Sequence, residues 1–156
     1  MCGIPRPSTG HRIAIIFPPR HPSSSTAHPA SANYALFFQE SDSDSKTRAV
    51  FRSKDTSMID IFRACRGIDL RIERHGDLTL SPPTLAREQS QPLYQFQLQP
   101  HSSSKSVLSS ELEFSLPERL DLGVSDKGIV GRQVTVFATG QAGEVIPMGN
   151  GIVGYD

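Results

Sequence analysis

The sequence predicts a mainly β fold, an antiparallel sandwich or barrel with one short helix at about residues 55–66 and a disordered, Pro- and Ser-rich N-terminal tail. Two observations predict it. Short segments that alternate apolar and polar residues recur along the chain, and Gly or Pro separates many of them. Strands that are half polar need only one covered face, which favours antiparallel sheets. We therefore expect a flexible tail at residues 1–31 and a single β-rich domain at residues 32–156.

The predicted tail differs from the rest of the chain in charge and in proline content. Residues 1–39 contain three arginines and no acidic residue, whereas the whole chain has sixteen basic and sixteen acidic residues. Six of the twelve prolines also lie there. Dense proline blocks helix and removes backbone donors. We expect residues 1–31 to be dispensable for folding, with only Ile13 to Phe17 able to add a short strand at a sheet edge.

The apolar pattern after the tail predicts the individual elements. Met58, Ile61, Phe62 and Cys65 share one helix face, with Asp55 or Thr56 as the N-cap and Gly67 as a left-handed C-terminal residue. Predicted strands lie at Ala35–Phe38, Thr47–Phe51, Ile68–Ile72, Leu78–Leu80, Tyr94–Leu98, Leu112–Leu116 and Gln133–Ala138.

Two further expectations concern the turns and which side chains of a strand face the core. The segment His75 to Asp77 would join Ile68–Ile72 and Leu78–Leu80 as a hairpin, with Leu70 in the core and Arg71 on the solvent face. Eight of the twelve glycines lie between Gly123 and Gly154, which indicates turns between short strands.

Composition excludes several classes of protein. A neutral total charge does not suit a uniformly basic nucleic-acid binder. The longest apolar run, Ile13 to Phe17, is far shorter than the roughly twenty residues of a membrane helix, so we expect no membrane span. Two cysteines are too few for a disulfide scaffold and favour an intracellular protein of the cytoplasm or nucleus. The acid-free, Arg-bearing start leaves organellar import as an alternative.

The first four residues, Met1, Cys2, Gly3 and Ile4, resemble the start of N-terminal-nucleophile glutamine amidotransferases. The resemblance implies that removal of Met1 would expose Cys2 as the nucleophile, with its own α-amine as the base. Elsewhere, His11, His21 and His28 are too widely spaced for a metal site, and Glu111 and Glu113 fit a solvated strand face. Ser41 lies in an acidic loop that would suit a kinase. The sequence implies no cofactor and no metal.

The favoured function is that of a non-enzymatic protein-interaction module or a small subunit of a larger assembly, with a protein as its partner. The candidate contact residues are Arg6, Arg12 and Arg20 of the tail, with Tyr94 and Phe96 as aromatic anchors. One alternative is a nucleic-acid-associated protein, coat-like or chromatin-associated, that uses the basic N-terminal arm. A second alternative is an amidotransferase-like enzyme acting through Cys2.

Overall fold

Eight antiparallel strands form one nearly closed sheet in the computed structural model, which describes residues 10–19, 33–43, 45–76, 91–100 and 110–156. The described elements in chain order are β1 (Arg12–Ile16), β2 (Tyr34–Glu40), β3 (Thr47–Arg52), α1 (Thr56–Ala64), β4 (Gly67–Ile72), β5 (Tyr94–Leu98), β6 (Glu111–Ser115), β7 (Gln133–Thr139) and β8 (Val145–Tyr155). The prediction of a mainly antiparallel β fold with one short helix is confirmed.

The strand order in the sheet is β5-β4-β7-β8-β1-β2-β3-β6. The eleven residues of β8 join its two halves, because β8 pairs with β7 along most of its length and with β1 near its C-terminal end. A single bridge between Phe17 and Asn150 extends the contact of the β1 segment with β8. The sheet therefore curls around β8.

Side chains fill the inside of this barrel. Alternate residues of the strands point inward and are almost fully buried, as the alternating sequence pattern predicts. An eight-stranded barrel is just narrow enough for its own side chains to occupy the interior. Inward residues from the strands include Ala14, Ile16, Leu36, Phe38, Ala49, Phe51, Ile68, Leu70, Ile72, Leu112, Phe114, Val134, Val136 and Val153.

Helix α1 covers one end of the barrel. The carboxylate of Asp55 accepts a hydrogen bond from the backbone N–H of Ser57, which confirms Asp55 as the N-cap. Hydrogen bonds from the Ser57 hydroxyl and from this backbone N–H lower the pKa of Asp55. The ring of Phe62 meets the ring of Tyr34 edge-on, with the ring centres 5.4 Å apart, and its centre lies 5.1 Å from that of the Phe51 ring. The helix is thus fixed on the core by aromatic contacts.

The segment of residues 116–132 covers the other end. Four of its apolar side chains are buried: Leu116, Leu120, Leu122 and Ile129. The backbone N–H of Leu120 donates to the hydroxyl of Thr47 at 2.9 Å, and the N–H of Ile129 donates to the carbonyl of Asp121 at 3.0 Å. Both ends of the filled barrel are therefore covered by the chain itself.

The prediction that residues 1–31 form a tail is wrong for residues 12–17. Strand β1 lies between β8 and β2 in the middle of the sheet, and Ala14 and Ile16 are fully buried. The prolines nearest to it, Pro7 and Pro18, flank the apolar run without interrupting it, so every residue of β1 keeps its backbone N–H. Residues 1–9 and 20–32 of the predicted tail lie outside the described residues.

The predicted hairpin between Ile68–Ile72 and Leu78–Leu80 is also wrong. One side of β4 pairs with β5 and the other with β7, so no edge of β4 remains for a further strand. The chain after β4 continues beside the start of β7, where Glu73 N–H donates to the Gln133 carbonyl and Gln133 N–H donates to the His75 carbonyl. Leu78–Leu80 lies outside the described residues.

The glycines near the C-terminus do not all mark turns, contrary to the prediction. Gly149, Gly151 and Gly154 lie within β8, the longest strand described. A Cβ at Gly151 would overlap the carbonyl oxygen of Ile15, and a Cβ at Gly149, which has φ of +119°, would overlap that of Phe17. These two glycines therefore let β8 bend closely against the β1 segment.

Gly67 has a different role from the one predicted. The helix ends at Ala64, its C-cap Cys65 has extended backbone angles, and Gly67 opens β4. Cys65 N–H donates to the Ile61 carbonyl at 3.1 Å, so the last turn closes without a left-handed residue at Gly67.

Replacing Gly151 with Ala should destabilise the protein by about 1 to 3 kcal/mol or more, because the added methyl group meets rigid backbone. Gly154→Ala is the matched control, since the nearest atom to a Cβ there is the Ile13 carbonyl oxygen at 4.0 Å. Chemical denaturation of both variants measures the difference. Equal stabilities of the two variants would show that β8 does not approach β1 as described.

Candidate functional site

The predicted contact residues that the structure describes are Arg12, Tyr94 and Phe96. Arg6, Arg20 and the predicted nucleophile Cys2 lie outside the described residues. Arg12 and Tyr94 lie on different strands, yet both bind the same covering segment. Arg12 Nε donates to the Leu122 carbonyl, and the Tyr94 hydroxyl donates to the Lys127 carbonyl at 3.0 Å. The two side chains therefore hold residues 116–132 over the barrel end.

Phe96 does not offer a surface for an interface. Its side chain faces the core and is 3% exposed, because it occupies an inward position of β5. The half-buried ring of Tyr94 stacks on it, with centroids 6.2 Å apart. The outward residues of β5 are Gln95 and Gln97. The alternation that predicted this strand also placed both aromatic residues on its apolar face, which is the interior one.

Arg12 is engaged in several contacts. Its guanidinium lies 4.5 Å from the centre of the Tyr155 ring, and Nη1 donates to the His11 carbonyl at 2.8 Å. With the bond to Leu122, these contacts link the start of β1 to the end of β8 and to the covering segment. One of the three predicted tail arginines is thus part of the folded domain.

An ionisable cluster lies on the outward face of β4. Arg71 Nε lies 3.3 Å from the Glu73 carboxylate, and the amide of Gln95 donates to Asp69 at 3.1 Å. Asp69 and Arg71 are each only 4% exposed. Burial raises the pKa of Glu73, and the neighbouring Arg71 opposes that shift. The positive charge of Arg71 thus lies beside the negative charge of Glu73, and such pairing stabilises charged groups that are shielded from water.

The thiol of Cys65 is unsuited to nucleophilic chemistry. It is buried at the end of α1, where its Sγ lies 3.0 Å from the Phe62 carbonyl oxygen. Burial raises the pKa of Cys65, so the reactive thiolate is disfavoured. Among the residues that the structure describes, no group of three or more His, Cys, Asp or Glu side chains is placed to hold a metal ion.

The middle of the sheet presents an outward surface built from uncharged residues, which we term the uncharged face. It consists of alternate residues of three neighbouring strands and the residue after β1: Ile13, Ile15 and Phe17, then Ala35, Phe37 and Gln39, then Asn150, Ile152 and Gly154. Ile15 is 42% exposed and Phe17 is 52% exposed. A barrel exterior in water usually carries polar residues at such positions, whereas Ile15 and Phe17 are apolar.

Ion pairs border the uncharged face on its β3 and β6 side. Arg48 binds Glu113 at 3.0 Å, and Arg52 binds Glu111. The guanidinium of Arg52 also lies 4.6 Å from the centre of the Phe37 ring, which is 8% exposed. Glu111 and Glu113 do lie on one outward face, as predicted, and each of them is matched by an arginine from the neighbouring strand.

Sequence reasoning missed the uncharged face because it assigned Ile13 to Phe17 to the tail. The signal was present in the sequence. Residues 13 to 17 are all apolar, so a strand there has apolar side chains on both faces. That pattern is typical of a strand covered on both sides. In the structure the inner face of β1 is covered by the core, while the outer face still exposes Ile15.

No protein-family model matches the chain, and no curated protein matches it in sequence. Within the described parts of the chain, no helix has the length and apolar character needed to cross a membrane.

Arg71 was predicted to lie on the solvent face of its strand, whereas its side chain is almost fully buried beside Glu73. Arg71→Ala should therefore destabilise the protein by about 2 kcal/mol or more, because it removes the charge that faces Glu73. Arg48→Ala is the control, since its pair with Glu113 is more accessible to solvent and should contribute less than about 1 kcal/mol. Urea unfolding of the two variants measures the difference, and a smaller loss for Arg71→Ala than for Arg48→Ala would contradict it.

Proposed function

We propose that this protein is a non-enzymatic interaction module that binds a protein partner through the uncharged face. The observation that carries the proposal is the exposure of Ile15 and Phe17 in the middle of a sheet whose interior is already filled. Exposed apolar side chains grouped on one surface are typical of binding sites. The barrel thus acts as a rigid support that presents its outside.

The composition of the uncharged face supports binding to protein. The centres of protein interfaces are depleted of charged residues and rich in aromatic and aliphatic ones. Ile15 and Phe17 supply apolar area, and the ion pairs of Arg48 and Arg52 form a polar border on one side. Covering an exposed apolar surface contributes about 25 cal/mol for each Å² removed from water. A partner that covers this face would therefore gain affinity mainly from apolar burial.

The two alternative functions depend on residues outside the described ranges. Nucleic-acid binding would rely on Arg6 and Arg20, whereas Arg12 already binds Tyr155 and Leu122 within the domain. The amidotransferase-like alternative would rely on Cys2. We place the protein inside the cell, in the cytoplasm or nucleus, because its cysteine content suits a reducing compartment and the Cys65 thiol is free. Organellar import is the alternative location.

The test of this function compares native complexes in the cells from which the protein comes. Ile15→Asp should abolish a complex larger than the single chain, because it buries a charge at the centre of the interface. Val124→Asp is the matched control, since Val124 is 73% exposed and lies on the covering segment at residues 116–132. Native electrophoresis or chemical crosslinking at the natural expression level measures the mass of the complexes.

Two results would contradict the proposal. One is a wild-type chain that is found only as a single copy without any partner. The other is a complex that Ile15→Asp and Val124→Asp leave equally intact. Loss of function in Cys2→Ala with the complex unchanged would instead favour the amidotransferase-like alternative.

A further inference from the structure

We propose that the partner is a second copy of this chain and that two copies pack their uncharged faces together about a two-fold axis parallel to β1. This inference rests on the proposed function and names the partner. The pairing register of β8, β1 and β2 supports it, because this register fixes the positions of the large and small side chains on the uncharged face.

Two neighbouring rows across the uncharged face each have a large residue on one side of β1 and a small one on the other. In the first row, Ile15 pairs with Ala35 of β2. On its other side Ile15 lies opposite Ile152 of β8, because the register continues from the Ala14–Val153 pair to the Phe17–Asn150 bridge. In the second row, Ile13 pairs with Phe37 of β2 and Gly154 of β8. The small residue thus changes side between neighbouring rows.

A two-fold axis parallel to β1 makes this pattern self-complementary. Rotation about it places β2 of one copy over β8 of the other and keeps each row aligned with its equivalent. Ile152 of one copy then lies over Ala35 of the other. Gly154, which has no side chain, lies over Phe37 and leaves space for the Arg52 guanidinium that stacks there. On both sides of the axis a large residue thus meets a small one, while Ile15 and Ile13 on the axis meet their own equivalents.

Charge also favours a second copy over a charged partner. The nine residues of the uncharged face carry no charge, and the guanidinium that lies over Phe37, that of Arg52, is paired with Glu111, so a second copy brings no unpaired charge into the contact. A strongly acidic or basic partner would leave charged groups buried opposite Ile13, Ile15 and Phe17 without a counter-charge. The bordering arginines Arg48 and Arg52 are already matched by Glu113 and Glu111. The uncharged face of a second copy therefore supplies the uncharged surface that a partner at this site needs.

The test is sedimentation equilibrium of the purified full chain between about 1 and 100 μM, the range in which a dimer of moderate affinity dissociates. The wild-type chain should form a dimer. Ile15→Asp should raise its dissociation constant by about 100-fold or more, because the change is at the centre of the interface. Gly154→Leu should do the same by filling the space over Phe37, and a Cβ at this position has room within its own copy.

Val124→Asp is the control and should leave the dissociation constant unchanged, because Val124 lies outside the uncharged face. Thermal melts verify that each variant is folded, and Gly154→Leu carries the test if Ile15→Asp does not fold. A wild-type chain that stays monomeric overturns the proposal, as does a dimer that resists both interface variants. A monomeric chain whose cellular complex is still lost on Ile15→Asp would retain the proposed function and assign it to a different protein partner.

Discussion

The contact between β1 and β8 is the constraint on which the rest of the structure depends. It joins the half of the sheet formed by β5, β4 and β7 to the half formed by β2, β3 and β6. The backbones approach so closely that side chains at Gly149 and Gly151 would overlap the carbonyls of Phe17 and Ile15. Without this approach β8 would not bend from one half of the sheet to the other, and the core would not be enclosed.

Enclosure of the core leaves the outer faces of the strands as accessible surface. Helix α1 covers one end of the barrel and residues 116–132 cover the other, while aromatic and aliphatic side chains fill the space between them. The strand β1, which with β8 joins the two halves of the sheet, has apolar residues on both faces. Its inner residues Ala14 and Ile16 build the core, and its outer residue Ile15 stays accessible. One short segment of sequence therefore supplies both core residues and an exposed apolar side chain.

Alternation predicted the strands well wherever one face is polar, as in Tyr94–Leu98 and Gln133–Thr139. It did not predict which strands pair, because pairing depends on contacts between distant residues. The hairpin expected after Ile72 was wrong for this reason, since β5 and β7 occupy both sides of β4. The uncharged face was missed because nearby prolines suggested a tail, although Ile13 to Phe17 are apolar at every position.

Hydrogen exchange of the β1 amides tests most directly whether this segment is an integral strand. A central strand paired on both sides opens only when the whole domain unfolds, so the amides of Ile13 to Ile16 should exchange with the same free energy as those of Val134 and Val136 in β7. Rapid exchange of the β1 amides beside protected β7 amides would contradict the account, because β1 would then be a loosely attached extension of a sheet that closes without it.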